Sequence, residues 1–131
     1  MAEITDEVRR FLDRYITSID SLEVLLLLQR HTERQWTADA VAAELRLSAT
    51  AADRHLAKLF SYNLLDVEIG KDLFYRYNPR PLHLGRAAQA VATAYAAEPV
   101  VVIKLVLERP PQPIRDFADA FRLTKKDDSN G

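Results

Sequence analysis

Between Thr37 and Tyr77 the spacing of apolar positions changes its period, and each change predicts a different element. Val41, Ala42 and Leu45 recur at the three-and-four spacing of a helix face, behind Thr37 as N-cap and Asp39 in the first turn. Arg46-Leu47-Ser48 makes a turn, and Ser48 caps a second helix over about 48–63. There Ala52, Leu56, Leu59 and Asn63 share the inward face, while Thr50, Ala51, Arg54, Ala57, Lys58 and Ser61 take the opposite one. After Asn63 the period falls to two. Leu65, Val67 and Ile69 alternate with Asp66 and Glu68, Gly70 supplies a turn, and Leu73, Tyr75 and Tyr77 alternate with Phe74 and Arg76 until Pro79 stops the return strand. The expectation is helix, turn, helix, and a hairpin over about 65–77.

The flanks read as helical. Thr5 caps a first helix, with Asp6 and Glu7 complementing its dipole and Val8, Phe11, Leu12, Tyr15 and Ile16 as its apolar stripe. Asp20 and Glu23 have the spacing of a capping box, and Leu22–Leu28 is apolar on nearly every side, which predicts a central helix. Trp36, directly before the Thr37 cap, is expected to pack on the core; base stacking is its functional alternative. An alanine-rich helix over 82–97 presents Leu84, Ala87, Ala88, Val91 and Tyr95. Pro99 opens a further helix through Val100–Leu107, for which a strand is the alternative. Pro113 opens a last one with Ile114, Phe117 and Phe121 at helical spacing, and 125–131 reads as a disordered polar tail. The fold class is mainly α with a small β-hairpin. One domain is expected over 1–124, with a core motif at 20–79 and a helical packing segment at 82–122.

The stretch AAELRLSATAADRHLAKLFSYNLL resembles the recognition segment of winged helix-turn-helix regulators of the MarR and ArsR kind. The resemblance implies a winged-helix domain with extra N- and C-terminal helices, working as a DNA-binding transcriptional regulator. The second helix of the motif would lie in the major groove and the hairpin would be the wing. Double-stranded DNA would then meet Ser48, Thr50, Arg54, Lys58 and Ser61 on the helix and Lys71 at the hairpin tip. It also implies a homodimer through the terminal helices. Here Val101, Leu105, Ile114, Phe117 and Phe121 are the expected interface within a dimerising segment at 82–121, and the apolar content of 100–121 points the same way. The alternative is a monomer that folds this segment over its own leucine-rich helix. An effector pocket could lie between the terminal helices and the motif, although no residue pattern names a ligand.

Charge tempers this picture. The 131 residues carry a net charge of −1 and the sequence pI is near 6.3, so there is no bulk attraction to a polyanion. Residues 1–47 hold nine acids and six bases, 48–80 five bases and four acids, and 81–131 seven bases and six acids, so the motif is only slightly basic. Asp53, Glu68 and Asp72 repel phosphate, and Ala49, Ala51 and Ala57 leave few readers on the helix. A winged-helix protein-interaction module that binds no DNA is therefore the second reading. His31, His55 and His83 lie far apart, and there is no cysteine, HExxH or glycine-rich phosphate loop, so neither catalysis, a metal nor a cofactor is expected. Met1–Arg14 has no apolar signal-like core, and the apolar runs are far shorter than the ~20 residues that span a bilayer, so a soluble, cytoplasmic protein is expected.

Overall fold

Leu22 and every residue from Val24 to Leu28 are buried, so the helix that carries them has no apolar face left over. That helix, α2 (Ile19–Arg30), is the hub of the computed structural model, which describes residues 4–108. Around it stand α1 (Asp6–Tyr15), α3 (Ala38–Leu45), α4 (Ala49–Ser61), α5 (Leu82–Ala97) and α6 (Pro99–Leu107), with an antiparallel hairpin of β1 (Leu65–Ile69) and β2 (Leu73–Tyr77). Four of these elements, α3, α4, β2 and α6, pack on α2, while α1 lies against α5 and α6. The winged helix-turn-helix with extra helices at both ends, expected from the periodicity, is the observed fold.

Four helices start where a hydroxyl side chain takes up a free backbone amide, three of them at the expected cap. Thr5, Thr37 and Ser48 accept from the amides of Val8, Ala40 and Ala51 at 3.2, 3.1 and 3.0 Å. The start of α2 differs from expectation. Ser18, and not Asp20, is its cap and accepts from Ser21 N at 3.1 Å, so Asp20 falls inside the first turn, where it still complements the helix dipole. Pro99 opens α6, which turns by 116° from α5 and folds back. Gly85 lets α5 pass close to Pro79, whose Cγ would lie 3.2 Å from an added Cβ.

Both helices of the motif end in the same way. Arg46 and Asn63 adopt positive φ, 60° and 66°, and the amides that follow, Leu47 and Leu64, donate back to Ala42 O and Leu59 O at 3.0 and 3.2 Å. Asn63 is consequently exposed and does not belong to the inward face of α4, because the helix has already ended at Ser61.

The hairpin register sets Leu65 opposite Tyr77 and Ile69 opposite Leu73. Its buried face fades toward the tip: Leu65 and Tyr75 are buried, Val67 is half-buried, and Ile69 is 79% exposed. The alternation runs on past the edge of the core. Gly70 does not need positive φ; the tip is closed by Gly70 N donating to Asp72 O and by Leu73 N donating to the Asp72 carboxylate. Trp36, 1% exposed, packs on the core as expected and also pairs with Tyr75, lending the hairpin a one-residue third strand.

In the C-terminal segment Val102 and Val106 are buried. Leu105 packs half-buried against the core, and Val101 is exposed. Ile114, Phe117 and Phe121, with the last helix and the tail, lie outside the described residues. Among the described residues no single helix is long and apolar enough to cross a membrane.

Candidate nucleic-acid interface

The face that α4 turns away from the core follows from its own periodicity. Ala52, His55, Leu56 and Leu59 are buried, which leaves Thr50, Asp53, Arg54, Ala57, Lys58 and Ser61 in solvent. The caps and positive-φ turns on either side fix where this face points, since α3 and α4 also pack directly on each other.

Each expected contact residue on the motif is exposed. Ser48 uses its hydroxyl to cap α4, so what it offers an anion is the positive end of the helix rather than a free side chain. Thr50, Arg54 and Lys58 have no side-chain hydrogen bond or ion pair among the described residues, although the Lys58 ammonium stands 5.6 Å from the Tyr62 ring. Ser61 is less free: its hydroxyl donates to Lys58 O at 2.6 Å, within the last turn. Lys71 lies at the wing tip, flanked by Asp72 and the exposed Ile69 and Leu73. The tip is thus more apolar than cationic.

The outer face of the wing is polar and internally paired. Gln35 donates to Glu68 at 2.6 Å, Asn78 donates to Asp66 at 2.6 Å, and Arg80 forms an ion pair with Asp66 at 3.3 Å. Of these contacts only the Arg80 ion pair neutralises an acid, Asp66; Gln35 is a neutral amide, so Glu68 keeps its charge. Asp53 and Asp72 remain unneutralised. Burial, and then the charges of Asp53 and Asp72, push the Tyr75 phenol above its usual value. Burial likewise raises Tyr77, whose hydroxyl accepts from Gln29 at 3.2 Å. On the hidden side of α4, burial and the neighbouring Arg54 hold His55 below the ordinary histidine value, against a smaller opposite pull from Asp20.

Among the described residues no three His, Cys, Asp or Glu side chains converge as metal ligands. A cleft of about 270 Å³ lined by Glu23, Leu26, Arg30, Leu45 and Tyr95 lies between α2, α3 and α5, the region where the resemblance allows an effector.

No protein-family profile and no curated protein matches the chain. Its structure does match solved ones. A variant of S. aureus MepR, bound to an oligodeoxyribonucleotide, superposes with a TM-score of 0.55 over 95% of this chain and 88% of MepR, at 12% identity. The adhesin competence repressor AdcR of Streptococcus pyogenes gives 0.51 over 93% and 89%, at 13% identity. Lactococcus lactis ZitR gives 0.51 over 86% and 75%, at 15% identity. The chain therefore has the winged-helix fold of MarR-type regulators.

Proposed function

We propose that this protein is a cytoplasmic, DNA-binding transcriptional regulator that works as a homodimer. The observation that carries the reading is the outward face of α4, where Thr50, Arg54 and Lys58 stand exposed, with no side-chain hydrogen bond or ion pair among the described residues, beyond a capped helix N-terminus. Arg54 offers a planar donor fork for a guanine edge, Lys58 a point charge for phosphate, and the helix end an anion site. The small Ala49, Ala51 and Ala57 let the helix axis approach the groove floor. MepR, of the same fold, binds an oligodeoxyribonucleotide, which supports the same use of the fold here.

Homodimerisation through the terminal helices gives two such helices, and a two-fold arrangement of half-sites compensates for the modest charge of one subunit. Val100 and Leu107, 63% and 67% exposed on the outer face of α6, support it, with Val101 beside them.

The test is binding of a generic fluorescent duplex at low salt by the wild type and by an Arg54→Ala/Lys58→Ala variant. Tight binding by the first and its loss in the second are expected. A duplex that neither protein binds would reject the reading and favour a winged-helix protein-interaction module.

A further inference from the structure

We propose that Asp53 reads a base, and that Asp53 and Arg54 together select a G·C pair within each half-site. This rests on the DNA-binding reading of α4. Asp53 does nothing visible for the fold. Ser48 is the cap of α4, no acid sits in its first turn, and Asp53, in the second turn, makes no hydrogen bond or ion pair among the described residues. Its charge adds to that of Asp72 in disfavouring ionisation of Tyr75, and it opposes phosphate. An acid with no structural partner, on the face offered to DNA, has one favourable use there. It can accept from a base amine, cytosine N4 or adenine N6, and the paired demand of Arg54 for guanine O6 and N7 on the other strand tips that choice to cytosine.

The position of Asp53 fits that use. Successive helix residues point about 100° apart. Thr50, Ala57 and Ser61 run along the middle of the exposed face, opposite the buried Ala52, His55, Leu56 and Leu59. Asp53 and Arg54 flank that middle line on opposite sides within one turn, so they diverge toward the two strands. The Ala57 methyl, one turn further on, leaves both side chains room to reach the groove floor. A G·C pair carries the O6 and N7 acceptors on one strand and the N4 donor on the other. Donor fork and carboxylate therefore match that pair. Thymine in place of guanine offers O4 alone, so the fork makes one bond instead of two, and thymine in place of cytosine sets an acceptor against the carboxylate. The acid that weakens attraction to DNA in general thereby sharpens the choice among sequences.

The experiment is selection of bound duplexes from a randomised pool by wild type, Asp53→Ala, Asp53→Asn and Arg54→Ala, with affinity for the unselected pool measured beside it. Wild type is expected to enrich a G·C pair at a fixed position. Asp53→Ala should bind the unselected pool several-fold more tightly and lose about tenfold of that preference, while Arg54→Ala loses preference and affinity together. Asp53→Asn, which keeps the shape but exchanges one carboxylate oxygen for an amide donor, should shift the preference from cytosine toward adenine without losing the fold. If Asp53→Ala binds more tightly but enriches the same sequences, Asp53 is a repulsive charge only and the proposal fails. If wild type binds the pool and enriches nothing, the proposal fails and DNA binding stands. If wild type binds no duplex, both fail.

Discussion

Trp36 and Tyr75 exchange both of their backbone hydrogen bonds, each 2.7 Å long, and so tie the segment before the helix-turn-helix to the return strand of the wing. Both side chains are buried, and the Arg34 guanidinium lies 3.6 Å over the Trp36 ring. Trp36→Ala is expected to lower stability by about 3–5 kcal/mol, because it empties a large core site beside the pairing. Urea denaturation measures this. A loss under 1 kcal/mol would mean that the wing does not depend on this tie.

Arg46 occupies a left-handed position that glycine fills more easily, at the turn that orients α4. Arg46→Gly is expected to raise stability by up to about 1 kcal/mol, since the relief of strain is partly offset by the greater freedom of glycine in the unfolded chain. Thermal melting that shows destabilisation would mean that the Arg46 side chain holds the turn through other contacts.

His55 gives stability a pH dependence of known sign. Its pKa in the folded protein is depressed by burial and by Arg54 below the ordinary value of 6.5. Above that value the histidine is neutral in both states and its contribution is complete. As pH falls below it the unfolded chain takes up the proton first, so stability declines until the folded pKa is passed, then levels off. His55→Gln should therefore flatten the fall in melting temperature between pH 7.5 and 5. An identical fall in both proteins would contradict this.

Light scattering across the micromolar range should return twice the chain mass. Val100→Glu/Leu107→Glu, which charges two exposed positions on α6, should return the single mass with the melting temperature nearly unchanged. A monomeric wild type would end the dimer reading.

The helix starts at Thr5, Thr37 and Ser48 were legible in sequence because a hydroxyl just ahead of a 3.6-period apolar run is a local signal. Ser18 was not, since Asp20 and Glu23 offer a competing cap, and the choice depends on Leu22 having to enter the core. Nor does any local pattern join Trp36 to Tyr75, which are far apart in the chain. Strand alternation identified the wing but could not show that Ile69 and Leu73 overrun the core. The exposed face of α4 was readable because helical geometry alone determines it. The pairing of Asp66 with Arg80, and the isolation of Asp53, emerge only when the wing and α4 are folded together.

The measurement that bears most directly on the DNA-binding reading is duplex affinity against salt concentration, for wild type and for Arg54→Ala/Lys58→Ala. Each phosphate neutralised adds about −0.9 to the slope of log affinity against log salt. Wild type should show a slope of several units, and the double variant a weaker affinity with a shallower slope. Equal slopes and affinities for the two proteins would contradict the placement of α4 on DNA.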